Sequence, residues 1–124
     1  MLQIDVSLQR KGFRLDARFD APTPGVMALF GRSGCGKSTL VNLIAGLIGN
    51  GTGRISLDGE CWLDSSNQLR VPAERRRIGY VFQEPRLFPH LTVAQNLGFG
   101  RWFAPRDAAG ARPERIIALL GLEH

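Results

Sequence analysis

The sequence predicts an α/β fold built around a phosphate-binding loop, and three observations carry that prediction. The run Gly31-Arg32-Ser33-Gly34-Cys35-Gly36-Lys37-Ser38-Thr39 fits the pattern G-x-x-x-x-G-K-[ST]. Five apolar residues, Val26 to Phe30, lead into it as a buried strand does, and a helical apolar pattern from Leu40 to Ile48 leads out. Upstream, apolar and polar residues alternate with the period of half-buried strands.

Taken in order, Gln3 to Leu8 alternates with Ile4, Val6 and Leu8 on one face, and Phe13, Leu15, Ala17 and Phe19 alternate likewise. Arg10-Lys11-Gly12 joins them as a hairpin turn. Ala21-Pro22-Thr23-Pro24-Gly25 breaks the pattern before the Val26 to Phe30 run, which reads as a central strand covered on both faces. The helix from Lys37 to about Ile48 is apolar nearly all round and is expected to be buried on most sides. Gly46 suggests close packing and Gly49 a C-terminal stop. Arg54 to Leu57, Asp58-Gly59 and Glu60 to Leu63 form a second hairpin. A polar stretch, Asp64 to Gln68, precedes a further apolar strand, Ile78 to Phe82. Beyond it, Gln83 to His90 is a loop with two prolines. Thr92 caps a short helix through Leu97, residues 98–112 are loop-like, and Pro113 opens a last helix that Gly121 ends.

The loop residues suit a triphosphate. Gly31, Gly34 and Gly36 permit φ > 0 and close approach of the backbone, so that successive N–H groups form an anion-binding concavity. The helix dipole adds about half a positive charge at the same place. Lys37 brings a full charge to the β- and γ-phosphates, Ser38 a hydroxyl for Mg²⁺, and Thr39 reaches an α-phosphate oxygen. Cys35, at the start of the helix, is expected to react with N-ethylmaleimide and to be shielded by Mg-ATP.

Composition bounds the alternatives. At 124 residues the chain is one domain or part of a larger one, and 44% hydrophobic with 22% charged residues excludes a disordered class. The net charge of +5 comes largely from Arg75-Arg76-Arg77 and scattered loop arginines, without a basic stripe interleaved with aromatics. It reads as a solvated face plus the electrostatics of a phosphate site, with no nucleic acid as partner. The N-terminus lacks the basic and apolar regions of a signal peptide, no apolar run is long enough to span a bilayer, and two cysteines are too few for a disulfide framework. The cytosol is the expected compartment.

The P-loop, the Gly53-Arg54-Ile55 hairpin, Val81-Phe82-Gln83, Leu87-Phe88-Pro89-His90-Leu91-Thr92-Val93 and Asn96-Leu97 occur in an order that resembles the ATP-binding subunit of ABC transporters. Within that family, Glu74 to Gln83 and Arg86 to His90 are most similar to the words of molybdate importers. The resemblance implies a P-loop NTPase (RecA-like) core with an antiparallel β subdomain over residues 1–84 and the beginning of a helical subdomain over 85–124. It implies ATP and Mg²⁺ as cofactors, and Gly31, Arg32, Ser33, Gly34, Cys35, Gly36, Lys37, Ser38 and Thr39 as the nucleotide-binding residues. Gln83 would serve as a Mg²⁺ and catalytic residue beside the attacking water; its amide can both ligate a hard cation and accept from water. Pro85 to Thr92 would meet a transmembrane permease, and a second ATPase subunit would pair head to tail. The protein would be cytoplasmic and peripheral on the inner face of the cell membrane. The family's adenine-stacking aromatic has Phe13 as its nearest candidate, which fits equally as a strand core residue; His90 reads as structural.

The resemblance also implies an LSGGQ signature, an Asp-Glu pair after four apolar residues and a switch histidine, and the 124 residues contain none of them. The chain stops inside what the resemblance makes a helical subdomain. Hydrolysis by it alone is expected to be negligible, and Val26 to Phe30 and Ile78 to Phe82 are expected to expose apolar, unpaired edges. A non-catalytic nucleotide-binding remnant or regulatory module shares every motif. A small-molecule kinase is disfavoured by Gln83 and its Leu-Phe-Pro-His continuation.

Overall fold

The computed structural model describes residues 1–106, 110 and 112–123. The chain forms two compact units, Met1–Val81 and Phe82–His124.

The first unit is a five-stranded antiparallel sheet with a helix against one face. Strands β1 (Leu2–Arg10) and β2 (Phe13–Ala21) pair from Leu2↔Ala21 to Arg10↔Phe13, so the expected hairpin is present and each strand is longer than its alternating core. β3 (Thr52–Leu57), β4 (Glu60–Asp64) and β5 (Leu69–Arg70) complete the order β2-β1-β3-β4-β5. The second hairpin turns on Asp58 and Gly59 at φ +48° and +88°, a left-handed pair that matches the twist of a two-residue connection.

Period-2 alternation explains the inner face: Ile4, Val6 and Leu8 of β1, Leu15 of β2 and Ile55 of β3 are buried together. β4 departs from alternation, since Trp62 and Leu63 are both buried. The register moves from Ile55↔Leu63 to Ser56↔Cys61, so one extra residue sits in β4 and re-aims Trp62 inward. Across the outer face, the register sets Arg18, Asp5, Arg54 and Asp64 in a row of alternating charge over four strands. Its Arg18–Asp5 pair, 3.6 Å apart and well exposed, contributes little to stability.

Helix α1 (Lys37–Ala45) lays Leu40 and Leu43 onto the sheet core, and Ala45 is buried with them. It is shorter than its apolar pattern: Gly46 at φ +78° ends it, with Leu47 N–H donating to Asn42 O at 2.9 Å and Gly46 N–H to Leu43 O at 3.2 Å. Gly46, rather than Gly49, is therefore the stop. It is also a close contact, for a Cβ there would lie 2.9 Å from Arg76 Nε. Contrary to the expectation of burial on most sides, Val41 of α1 stays exposed, as does Leu47 just beyond its end.

Arg76 corrects the reading of the Arg75-Arg76-Arg77 run as a solvated face. It is 4% exposed, and its guanidinium spends its donors on backbone carbonyls. Nε donates to Val71 O at 2.8 Å, and one terminal nitrogen to Leu43 O at 3.0 Å and Ile44 O at 2.6 Å. The other donates to Trp62 O at 3.5 Å, and the guanidinium lies 6.0 Å from the Trp62 ring centroid. Burial, and secondarily the charge of Arg70, holds its pKa below the ordinary arginine value. Trp62 Nε1 finds no acceptor among the described residues.

The runs expected as central strands do not enter the sheet. Val26 is 100% exposed, Phe30 93% and Val81 96%, and neither 26–30 nor 78–82 is a strand. The exposure of these apolar segments agrees with expectation; their strand conformation does not. An apolar run becomes a strand only when a neighbour takes its N–H and C=O groups, and the ladders of this sheet are confined to β1–β5.

The second unit contains α2 (Val93–Gly98), a 3₁₀ turn (Phe99–Trp102) and α3 (Pro113–Leu119). Thr92 caps α2 as expected, within a reciprocal box: Gln95 N–H donates to Thr92 Oγ1 at 3.2 Å and Thr92 N–H to Gln95 Oε1 at 2.9 Å. Residues 98–102 are helical rather than loop; of the remaining expected loop, 107–109 and 111 lie outside the described residues. Gly121, at φ +66°, ends α3 as expected. Among the described residues no helix is long and apolar enough to cross a membrane.

Two predictions follow from this packing. Arg76→Met leaves Ile44 O and Val71 O without the guanidinium and should cost about 3 kcal/mol in urea unfolding, since a buried charged donor is being removed; an unchanged midpoint would contradict the tie. Asp64 accepts from Ser66 Oγ at 2.6 Å and Asn67 Nδ2 at 2.8 Å, which lowers its pKa from the ordinary 3.8 to about 2. A depressed folded-state pKa means that its stabilisation is whole above about pH 4 and is lost as pH falls through about 2. Asp64→Asn should remove that part of the acid transition, as followed by circular dichroism.

Candidate phosphate site

The loop between Phe30 and α1 is shaped by short contacts. Cys35 N–H donates to Arg32 O at 3.2 Å, closing a tight turn over Ser33 and Gly34, and Leu40 N–H reaches Gly36 O at 2.9 Å as the first helical bond. Gly36, at φ +103°, turns the chain into α1 as its N-cap, with no side-chain cap. A side chain there would be doubly excluded, because its Cβ would lie 2.7 Å from Phe13 Cζ and 3.2 Å from Leu15 Cδ1. Gly34 is also left-handed, as expected. Gly31 is not: its need is space, a Cβ there falling 2.6 Å from Cys35 Sγ.

Lys37, the first residue of α1, folds back over the loop. Its Nζ donates to Gly31 O at 2.7 Å and Arg32 O at 2.8 Å, and lies 3.6 Å from Cys35 Sγ. The ammonium thus lies on the loop that precedes the N-terminal end of α1, the end of a helix whose dipole favours an anion. Arg32, Ser33, Cys35 and Ser38 are exposed around it, and Thr39 is half-buried. The Ser38 hydroxyl has no hydrogen-bond partner among the described residues, which leaves a hard oxygen donor for a cation. Those residues hold no cluster of three His, Cys, Asp or Glu. Mg²⁺ does not require one, since it is commonly held by one or two protein oxygens together with phosphate and water.

Phe13 lies where the hairpin meets the loop, half-buried, its ring tip against Gly36 and its side packed on the core. Tyr80 donates its hydroxyl to Asn42 Oδ1 at 2.6 Å, tying residues 78–81 to the exposed side of α1. Sequence reasoning missed this pair and missed Arg76. Neither an asparagine inside a helix nor the middle of three arginines signals a partner more than thirty residues away.

Gln83 belongs to the second unit and is exposed. The loop after it is built by Asn96. Asn96 Oδ1 accepts from Phe88 N–H at 2.8 Å, and its Nδ2 donates to Phe88 O at 3.2 Å, Leu91 O at 3.2 Å and Thr92 O at 3.0 Å. Phe88 packs on Phe99, ring centroids 4.3 Å apart, and His90 meets its edge at 6.0 Å. Leu87, 72% exposed, stands out further than Phe88 at 39%.

Removing the clamp should loosen that loop selectively. Asn96→Ala should speed hydrogen exchange at the Phe88 amide by on the order of tenfold or more, the loss of several hydrogen bonds worth about 1 kcal/mol each. The amides of β1 should be unaffected, and equal acceleration in both places would argue against a local clamp.

Comparison with known proteins adds the following. The family model described as ABC transporter matches residues 15–124. A protein named molybdenum import ATP-binding protein ModC, from Rhizobium meliloti (strain 1021), is 50% identical over 123 residues, 99% of this chain and 34% of that protein. Its namesake from Rhizobium etli is 53% identical over 116 residues, 93% of this chain and 32% of that protein. Molybdenum import ATP-binding protein ModC 1 of Azotobacter vinelandii is 44% identical over 113 residues, 91% and 31% respectively. The chain spans about a third of the length of the curated relatives it matches.

Proposed function

This chain belongs to the ABC transporter family, whose P-loop NTPase fold it therefore shares, and on that premise we propose that it is the nucleotide-binding portion of an importer's ATP-binding subunit, the solute being molybdate. The observation that carries the proposal is the Lys37 ammonium, seated on Gly31 O and Arg32 O at the N-terminal end of α1. The names of the relatives support the solute.

In this reading Gly31 to Thr39 hold the phosphates of ATP. Lys37 exchanges two backbone carbonyls for β- and γ-phosphate oxygens, which a compact ammonium on a flexible stem can do without moving the loop. Ser38, with Gln83, would hold Mg²⁺, whose chemistry is to offset phosphate charge. Gln83 orients the attacking water. Residues 1–84 form the β subdomain and nucleotide core, and residues 85–124 begin the helical subdomain. Pro85 to Thr92, held in shape by Asn96, meet the permease, with Leu87 as the apolar contact. A second ATPase subunit pairs head to tail, and the assembly sits on the cytoplasmic face of the membrane.

Turnover is assigned to a protein of the relatives' length. A second reading, nucleotide binding without hydrolysis, is favoured for the 124 residues themselves, which contain neither LSGGQ nor an apolar-Asp-Glu strand. Phosphate release separates the two.

The proposal is tested by binding of a fluorescent ATP analogue with Mg²⁺. Lys37→Ala should weaken it by about a hundredfold, as expected when a charge-assisted contact to phosphate is lost. Mg-ATP should also slow N-ethylmaleimide labelling of the exposed Cys35. Binding indifferent to Lys37, with labelling indifferent to nucleotide, would overturn the assignment.

A further inference from the structure

A strand at the end of a sheet presents backbone N–H and C=O groups along its outer edge, and the side chains there decide what can pair with it. Within the first unit β2 ends the sheet, with β1 beside it along all nine residues. The hairpin closes on Arg10↔Phe13 across Lys11 and Gly12. In a two-residue hairpin the closing pair exchanges hydrogen bonds, and such pairs then alternate along the ladder. Phe13, Leu15, Ala17, Phe19 and Ala21 therefore turn their backbone groups to β1, and Arg14, Asp16, Arg18 and Asp20 turn theirs to the outer edge. Ser7 fits this parity: its carbonyl faces β3, where Thr52 Oγ1 donates to it at 3.3 Å.

The same four edge residues are exposed and alternate in sign: plus, minus, plus, minus. An antiparallel neighbour runs backwards, so a second β2 meets the first as minus, plus, minus, plus. Centred on Ala17, two copies set Arg14 opposite Asp20 and Asp16 opposite Arg18, each twice by symmetry. Their backbone groups face the edge, so each of these pairs can also exchange N–H···O bonds. On the inner face Leu15 meets Phe19, one buried and one half-buried, which carries the apolar surface across the seam.

The neighbouring registers fail. A slip of two residues one way sets Arg14 against Arg18 and Asp16 against itself. The other way it sets Asp16 against Asp20 and Arg18 against itself. A slip of one residue sets edge-facing backbone groups against groups turned inward. Edge charges of one sign would repel every register, whereas this order repels the neighbours of one register and favours that one. Within the chain Arg14 already pairs with Asp16 at 2.6 Å and Arg18 with Asp5 at 3.6 Å. Both pairs are well exposed, and such pairs are weakly held and readily remade.

We propose that β2 is a homotypic pairing edge: a second copy of this chain adds its β2 antiparallel about a two-fold axis at Ala17, joining two sheets into one. The pairing does not depend on the phosphate-site reading. It is small and therefore weak, with a Kd on the order of 100 µM.

The test is sedimentation of the purified 124-residue chain over a range of concentrations, where a monomer–dimer equilibrium is expected. Arg18→Asp sets like charges opposite each other twice and should weaken dimerisation by about tenfold or more. Adding Asp16→Arg exchanges the signs, makes the pairs opposite again and should restore the dimer. A monomer throughout would overturn the proposal. So would association indifferent to Arg18→Asp, as through the exposed Val26 and Phe30, or a loss that Asp16→Arg does not rescue. Ala17→Cys, in a Cys35→Ser background, reads the register with the charges intact. Ala17 would face itself in a non-hydrogen-bonded pair, where Cα atoms lie about 4.5 Å apart, within disulfide reach. Mild oxidation should give a crosslinked dimer, and its absence would overturn the two-fold at Ala17. If the charge variants do not fold, this crosslink decides alone.

Discussion

The first unit depends on one buried cation that meets no anion among the described residues. Arg76 answers the carbonyls of Leu43 and Ile44 at the end of α1, of Trp62 in β4 and of Val71 after β5. A carboxylate would satisfy one side of the guanidinium; carbonyls on three separate segments use its fork in several directions. The negative end of the α1 dipole meets a permanent positive charge there, which Ile44 O and Leu43 O both accept from. Gly46 makes the approach possible, since any larger residue would displace the guanidinium. At its other end α1 rests on Phe13 and Leu15 through Gly36. A helix fixed at both ends holds its N-terminal amides in one place, which an anion site requires.

What the sequence displayed and what it hid divide along the range of the interactions. Short-range chemistry was legible: the two hairpins, the Asp58-Gly59 turn, the Thr92 cap and the Gly121 stop each follow from a few adjacent residues. So were the left-handed turns at Gly34 and Gly36, which only the residue type at each position has to permit. Arg76 was not legible, for its partners come from residues 43, 44, 62 and 71. The β4 bulge was hidden for a related reason: Cys61-Trp62-Leu63 reads equally well as alternation or as an extra residue, and only pairing with β3 decides. The runs 26–30 and 78–82 were legible as apolar and misleading as strands. Apolar character states that a segment prefers cover, while strand geometry also needs a hydrogen-bonding neighbour.

The second unit shows the same division on a smaller scale. The Thr92–Gln95 box could be anticipated from spacing, whereas the four bonds from Asn96 to Phe88, Leu91 and Thr92 could not, since they depend on a loop doubling back on the helix that follows it. Together they give an irregular, proline-bearing loop a defined shape. Phe88 is thereby drawn onto Phe99, while Leu87 beside it stays exposed.

Lys37 has a bearing on how movement passes through the first unit. The carbonyls that its ammonium meets belong to Gly31 and Arg32, at the start of the loop, while Lys37 itself begins α1. One side chain thus bridges the loop end to end, and a disturbance at Gly31 is carried straight to the first turn of the helix.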